Sequence, residues 1–157
     1  MLEKLNCYSV RLSVFLIVAA LIAGMVSCGP PSQNLEIGTW YDLDAIRDNL
    51  GGSYLLMNDL DSTTAGYEEL ASPTASGGAG WQPIGTTDNP FTGTFDGQGY
   101  EIRDLFINRP DESYVGLFGW VGEGGVIKNL GVVNTDVTGL AGVGGLIGEN
   151  AGTVSDS

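Results

Sequence analysis

Two aspartates separated by one residue are the best candidates in this sequence for acid–base or cation chemistry. Asp59 and Asp61 would point to the same face of an extended strand, because side chains alternate along a strand. Paired carboxylates can hold Ca²⁺ or share the general acid and base roles of a hydrolase. The segment from Asn58 to Ser62 lacks the glycine and the distal glutamate of an EF-hand loop. We therefore expect both aspartates to be turn and strand-end residues that face water.

The composition excludes several other kinds of site. The 157-residue chain contains no histidine, which excludes catalytic triads with histidine and zinc sites of the H-E-x-x-H type. Its 6 Lys and Arg residues against 19 Asp and Glu residues give a net charge of −13, which argues against nucleic-acid binding. We expect no catalytic residue and no cofactor, although the acidity is compatible with stabilisation by Ca²⁺. Asp96-Gly97 is typical of a tight turn, not of a ligand-binding loop.

Aromatic side chains offer flat apolar faces that suit sugar rings. Trp40 and Trp81 are expected to cover the end of a hydrophobic core. Phe106 and Trp120 are expected to point outwards from their strands. These two are therefore the candidate ligand-facing aromatics.

The first 28 residues are typical of an export signal. Lys4 and Arg11 precede an apolar run over residues 14–26. This run is shorter than the roughly 20 residues that a spanning helix needs. The run ends in Met25-Val26-Ser27-Cys28, which resembles the lipobox of bacterial lipoprotein signal peptides. The resemblance implies a signal peptide over residues 1–27, an acylated Cys28 and a tether over residues 28–36. The alternative is a free cysteine after an uncleaved membrane helix.

A lipidated cysteine has consequences for location and partners. The resemblance implies an extracytoplasmic protein anchored in the cell envelope, at the outer membrane or the cell surface. Its first partner would be the lipid bilayer, through the acyl groups on Cys28.

The segment after the tether has the pattern of a short helix followed by a strand. Apolar residues recur at steps of three and four, and Thr39 with Asp42 forms a candidate capping box at the start. Gly51-Gly52 ends the helical pattern. A first strand over residues 54–60 and a loop complete a region spanning residues 37–80. The periodic apolar residues are Trp40, Leu43, Ile46 and Leu50.

From residue 81 onward, short strand-like runs separated by glycines resemble one another. Residues 102–107 match 127–132, residues 116–119 match 145–148, and residues 126–129 match 153–156. The matched segments are 25 to 29 residues apart. Repeats of this length predict stacked parallel strands, with Ile102, Ile127 and Val154 in one ladder. Asp104, Asn129 and Asp156 are expected at one recurring corner with left-handed backbone. A β-sandwich is the competing architecture.

The repeats also carry a more specific resemblance. Gly116 to Gly119 and Val143 to Ser155 resemble the GLUG motif, and residues 81–102 resemble the block that commonly precedes it. Such motifs occur in adhesin-like surface proteins and in non-catalytic regions of immunoglobulin A-specific metallopeptidases. The resemblance covers about residues 37–157 and implies an all-β fold, a right-handed parallel β-helix (solenoid). Its repeats would span residues 81–157, and a short N-terminal capping helix would lie within residues 37–80.

These features together predict a non-catalytic surface lipoprotein. Its repeats would act as a scaffold or adhesin-like module that binds extracellular polysaccharide or partner proteins. The alternative is a carbohydrate-active enzyme, a lyase or hydrolase, that uses surface carboxylates. Because residues 153–157 break off within a repeat, we expect a longer native protein or a partner that covers this end.

Overall fold

The computed structural model of the chain describes residues 34–157. The predicted signal peptide, Cys28 and most of the tether lie outside the described residues. The described part contains eleven strands, two short α-helices and two 3-10 helices. The strands are β1 (Leu35–Ile37), β2 (Ser53–Leu56), β3 (Thr94–Asp96), β4 (Glu101–Arg103), β5 (Phe106–Val115), β6 (Phe118–Val121), β7 (Val126–Lys128), β8 (Gly131–Val133), β9 (Asp136–Val143), β10 (Ile147–Asn150) and β11 (Thr153–Ser155). The helices are α1 (Trp40–Asp44) and α2 (Tyr67–Leu70), and the 3-10 helices are Ala45–Asp48 and Ala75–Gly78.

The strands form four separate parallel sheets. The largest has five strands in the order β1-β2-β3-β7-β11, and the others are the pairs β4-β8, β5-β9 and β6-β10. All the named strand pairs in residues 34–157 are parallel. A β-sandwich is built from antiparallel strands, so the competing prediction is excluded for this part of the chain.

The predicted fold class needs correction. A right-handed parallel β-helix, expected as a regular solenoid, is wrong for the described residues, which form short strands in small parallel sheets. Three of the four sheets have two strands. Between β2 and β3 the described chain consists of α2, the second 3-10 helix, loops and isolated bridges. The matched segments were 25 to 29 residues apart, whereas paired residues are 19 apart between β1 and β2 (Leu35 and Tyr54) and 41 apart between β2 and β3 (Ser53 and Thr94). The prediction failed because it extended the repeat spacing to residues that do not follow it.

The strand register shows where the repeat pattern held and where it failed. Val154 lies beside Ile127, and Ile147 lies beside Phe118, as two of the three matched segments predict. Ile102, however, lies beside Val132 and not beside Ile127. The neighbour of Ile127 on its other side is Phe95, so the ladder in the large sheet is Phe95, Ile127 and Val154.

The predicted capping box opens helix α1. The Thr39 side chain accepts from the Asp42 backbone N–H at 3.1 Å, and the Asp42 carboxylate accepts from the Thr39 backbone N–H at 2.9 Å. This reciprocal pair satisfies backbone donors that the first helical turn leaves free. It fixes the start of the helix so that Trp40 and Leu43 face the core, where both are fully buried.

Two tryptophans join the helical segment to the sheets. Trp40 and Trp81 are fully buried and pack edge to face with ring centroids 5.7 Å apart. The indole N–H of Trp40 donates to the carbonyl of Asp61 at 3.0 Å, and that of Trp81 donates to the carbonyl of Leu117 at 3.1 Å. The Arg47 guanidinium lies 4.7 Å from the centre of the Trp81 ring. Both rings therefore belong to the core, with their polar atoms satisfied.

The register of the large sheet predicts unequal costs for two similar truncations. Ile127 is fully buried, whereas Val154, its neighbour in β11, is 38% exposed. We expect Ile127→Ala to lower the free energy of unfolding by about 2–4 kcal/mol, because it leaves a cavity in the core. Val154→Ala, the matched control, should cost less than about 1 kcal/mol, since its side chain is partly in water already. Urea unfolding measures both losses, and equal losses would contradict the difference in burial between Ile127 and Val154.

Candidate functional site

An open depression on the described surface lies beside the corners that follow β4 and β8. It has a volume of about 360 Å³. We call it the Phe106 groove. Its lining residues are Ser62, Tyr67, Pro73, Asp104, Leu105, Phe106, Asn134, Thr135 and Asp136.

Strand pairing brings the two corners of the groove together. Because β4 pairs with β8 in register, Asp104 and Asn134 follow neighbouring residues, Arg103 and Val133. Both residues have left-handed backbone, with φ of 61° and 53°. Asp and Asn tolerate this region better than other residues with a Cβ. Asn134 Nδ2 donates to Asp104 Oδ1 at 2.6 Å, which ties the corners to each other.

This pairing refines the predicted corner residues. Asp104, Asn129 and Asp156 all have left-handed backbone, as expected. Asn129 and Asp156 follow the paired strands β7 and β11 and occupy one corner. Asp104 occupies a different corner, because β4 pairs with β8. Its counterpart there is Asn134, which the sequence reading missed.

The Asp104 carboxylate is held in its ionised form. The hydrogen bond from Asn134 lowers the pKa of Asp104, and the bond from the Ser62 backbone N–H acts in the same direction. The Tyr67 hydroxyl donates to the Asp104 carbonyl at 3.0 Å. Burial raises the pKa of Tyr67, and the nearby charge of Asp104 adds to this effect. The groove therefore presents a fixed carboxylate acceptor beside a phenol that stays protonated.

Phe106 is held at the side of the groove by its own backbone. Its N–H donates to the carbonyl of Ala71 at 3.1 Å, and its carbonyl accepts from the N–H of Trp81 at 2.9 Å. Gly80 passes beneath it with φ of 68°, where a Cβ would collide with the Phe106 carbonyl and ring. The ring is half-buried, between the fixed corner at Asp104 and the exposed Asp136 on β9.

The second predicted aromatic lies at a different place. Trp120, half-buried on β6, packs edge to face against Tyr114 with ring centroids 4.8 Å apart. Tyr114 is 36% exposed and borders a smaller pocket of about 150 Å³ that also includes Glu112. Phe106 and Trp120 are thus not members of one site, and Phe106 alone lines the larger groove.

The paired aspartates 59 and 61 are occupied by backbone and hydroxyl donors. Asp59 Oδ1 accepts from the backbone N–H of Glu101 at 2.8 Å. Asp61 Oδ1 accepts from the backbone N–H and the hydroxyl of Thr63, at 2.8 and 2.7 Å. These bonds lower the pKa of Asp61. The expected turn and strand-end roles are confirmed.

The Asp96-Gly97 segment is also a turn, as predicted. The backbone N–H of Gln98 donates to Asp96 Oδ1 at 2.9 Å, and Tyr100 N–H donates to the Gly97 carbonyl at 2.8 Å. Asn129 donates to the same Asp96 oxygen at 2.9 Å, and Lys128 pairs with the other oxygen at 3.1 Å. The bond from Asn129 is the main reason that the pKa of Asp96 is lowered.

Two negative observations hold for residues 34–157. In this range no three Asp, Glu or Cys side chains are grouped so that they would hold a metal ion. None of the helices over the same residues is both long enough and apolar enough to cross a bilayer.

Comparison with known proteins finds two long proteins with similar segments. Over 125 residues, 76% of this chain, it is 40% identical to a protein of Evansella cellulosilytica that is named as a Gly-rich membrane protein. Over 132 residues, 82% of this chain, it is 33% identical to halomucin of Haloquadratum walsbyi. The matched segments span 14% and 1% of those two proteins. No family model matches, and no solved structure matches.

The bond between the two corners predicts a pH-dependent contribution to stability. Because the pKa of folded Asp104 lies below its unfolded value of about 3.9, the contribution is complete above that pH. It is lost as pH falls through the folded pKa. Asn134→Gly removes the amide and still tolerates the left-handed backbone. We expect it to lower the free energy of unfolding near neutral pH and to differ less from the parent in acid.

Urea unfolding at a series of pH values measures this difference. Asn108→Gly is the control, because Asn108 is exposed on β5. The change in the free energy of unfolding that Asn108→Gly causes should not vary with pH. A constant difference between Asn134→Gly and the parent from neutral pH to well below 3.9 would contradict the account, since about 3.9 is where unfolded aspartate titrates.

Proposed function

We propose that this chain is a non-catalytic part of a cell-envelope protein and that it binds extracellular polysaccharide through the Phe106 groove. The observation that supports this most is the placement of a half-buried aromatic ring beside fixed polar groups in one open depression. The similarity to a protein named as a membrane protein fits a place at the envelope.

The lining of the groove suits a sugar ring in two ways. The Phe106 ring offers an apolar surface against which the C–H groups of a pyranose can pack. The carboxylates of Asp104 and Asp136 accept hydrogen bonds from hydroxyl groups. The Asp104 carboxylate is already oriented by Asn134, so little ordering is needed on binding.

The charge of the chain narrows the class of polysaccharide. A net charge of −13 repels uronate-rich and sulfated polymers, and the groove itself contains two aspartates. We therefore propose neutral or amine-bearing polysaccharides as ligands.

The alternative, a carbohydrate-active enzyme, has less support. Glycoside hydrolysis uses a carboxylic acid that stays protonated until it donates its proton to the leaving group. Hydrogen bonds lower the pKa of Asp104 and of Asp61, which is the opposite of what a general acid requires. We propose that these carboxylates act as hydrogen-bond acceptors. Release of reducing sugar from a bound polymer by the parent protein, with loss of this activity in Asp104→Asn, would favour the enzyme.

The Phe106 ring gives the direct test of polysaccharide binding. We expect Phe106→Ala to weaken binding of a soluble neutral glucan or of chitosan by about tenfold or more, equivalent to about 1.4 kcal/mol. Phe106→Leu, which preserves more of the packing, should be intermediate. Tyr41→Ala is the control, because Tyr41 is 51% exposed on helix α1 and does not line the groove.

Affinity electrophoresis in gels that contain the polymer measures these changes, with alginate as the polyanionic comparison. Equal retardation of the parent protein and of Phe106→Ala would contradict the assignment of the groove. Stronger retardation by alginate than by the neutral glucan would contradict the proposed class of ligand.

We also propose that the chain is a lipoprotein anchored through Cys28, as the resemblance of residues 25–28 to a lipobox implies. Cys28→Ser should abolish incorporation of an alkyne-labelled fatty acid and release the protein from the membrane fraction. Cys7→Ser is the matched control, because Cys7 lies before the predicted cleavage point and should have no effect. Labelling that persists in Cys28→Ser would exclude this anchor.

A further inference from the structure

A smaller pocket of about 150 Å³ lies near the other end of strand β5. Phe106 begins this strand, whereas Tyr114 is the last residue but one. We call the depression the Tyr114 pocket. Its lining residues come from two segments, within residues 82–87 and 112–114, and none of them lines the Phe106 groove.

The backbone of Tyr114 has an unusual conformation for an aromatic residue. It is left-handed, with φ of 63°, which costs free energy that glycine or asparagine would avoid. The register between β5 and β9 shifts between Arg109 and Ser113, just before this residue. Two glycines make room for it. A Cβ at Gly148 would collide with the Tyr114 backbone, and one at Gly142 would lie 2.8 Å from Tyr114 Cδ1. The fold therefore accommodates a ring where a smaller residue would be easier to place.

The Tyr114 ring is supported on one side and open on another. Trp120 packs against it edge to face, with ring centroids 4.8 Å apart. Trp120 is itself held between neighbours, because it lies beside Glu149 of β10 and its carbonyl accepts from the Phe91 N–H at 3.0 Å. The Tyr114 ring therefore rests on a fixed partner, and its exposed part borders the pocket.

A carboxylate is held in the same pocket by a cation from the same strand. Arg109 Nε donates to the Trp81 carbonyl at 3.1 Å, and Arg109 Nη1 donates to Glu112 Oε1 at 2.9 Å. The Arg109 side chain is 13% exposed, whereas that of Glu112 is 56% exposed and can accept further hydrogen bonds from a ligand. Because Arg109 balances the charge of Glu112, this pocket is less acidic than the Phe106 groove, which contains two aspartates.

The other groups that line the pocket are uncharged. Gln82, Thr87 and Ser113 are exposed, and their side chains offer an amide and two hydroxyls that donate and accept hydrogen bonds. Pro83 adds an apolar wall. The volume is below the roughly 300–1,000 Å³ of pockets that enclose drug-sized ligands, so the pocket suits a single sugar residue. An aromatic ring beside neutral donors and acceptors is the lining that a neutral sugar requires.

We propose that the Tyr114 pocket is a second sugar-binding subsite, which takes one residue of a neutral polysaccharide against the Tyr114 ring. Glu112 accepts hydrogen bonds from the sugar hydroxyls, and Arg109 is the positioning residue that holds Glu112. This inference rests on the proposed function for its class of ligand but not on the Phe106 groove. A proline-rich peptide fits less well. Such peptides dock in grooves lined by aromatic residues, and Tyr114 is the one aromatic residue among the described residues that line this pocket.

Quenching of tryptophan fluorescence by acrylamide tests this pocket separately. Of the three tryptophans, Trp40 and Trp81 are fully buried, so the half-buried Trp120 is the one that the quencher reaches. The full chain in phospholipid bicelles is titrated with cellohexaose, a short neutral glucan. We expect the sugar to protect Trp120 from acrylamide, because it covers Tyr114 and the ring packed against it. Trp120→Phe should remove most of the quenching.

Substitutions within and outside the pocket locate the binding. Tyr114→Asn removes the ring and tolerates the left-handed backbone. We expect it to raise the cellohexaose concentration for half-maximal protection by about tenfold or more. Glu112→Gln, which keeps an acceptor oxygen, should raise it by a smaller factor. Tyr100→Asn is the matched control, because Tyr100 is 39% exposed and lines neither depression, and it should match the parent. Phe106→Ala should also match the parent.

Four results would overturn the second subsite. They are an absence of protection in the parent, equal half-maximal concentrations in the parent and Tyr114→Asn, loss of protection in Phe106→Ala, and protection by a proline-rich peptide but not by the sugar. Stronger protection by a glucosamine oligomer than by cellohexaose would overturn the neutral class of ligand. Failure here would leave the gel retardation that tests the Phe106 groove unchanged, so the two proposals fail separately. Circular dichroism verifies that each variant is folded.

Discussion

Parallel, in-register pairing of apolar side chains is the constraint from which the other features of this structure follow. Phe95, Ile127 and Val154 lie side by side in the large sheet, and the first two are fully buried. Since neighbouring strands are in register, the residues that follow paired strand ends lie next to each other where the chain turns. The corners therefore pair as well, and Asp104 meets Asn134 for the same reason that Ile102 meets Val132.

The paired corners connect the fold to its candidate site. A hydrogen bond between Asn134 and Asp104 satisfies two polar side chains where the backbone is left-handed, and it also fixes a carboxylate at the margin of an open groove. Phe106 begins the strand that follows this corner, so its half-buried ring lies beside that carboxylate. Structural hydrogen bonding and the proposed ligand recognition thus use the same residues. The lowered pKa of Asp104 suits an acceptor and not a general acid.

The sequence predicted local features better than long-range ones. The capping box at Thr39, the turn at Asp96 and the left-handed corner residues depend on nearby residues, and all are present. The match between Ile102 and Ile127 failed because similar side chains recur in several strands, and similarity alone does not select the partner. Aligning Ile102 with Val132 would have revealed Asn134 as the counterpart of Asp104. The groove depends on loops around Ser62 and Pro73, whose approach to β5 no local pattern indicated.

Cysteine cross-linking tests the register most directly. With Cys7 and Cys28 replaced by serine, one variant carries Asp96→Cys and Lys128→Cys, and a second carries Arg103→Cys and Lys128→Cys. Asp96 and Lys128 are neighbours across β3 and β7, whereas a repeat that aligned Ile102 with Ile127 would place Arg103 beside Lys128. The structure predicts rapid disulfide formation in the first variant and little in the second under the same mild oxidation. The reverse result would contradict the register and the corner pairing derived from it.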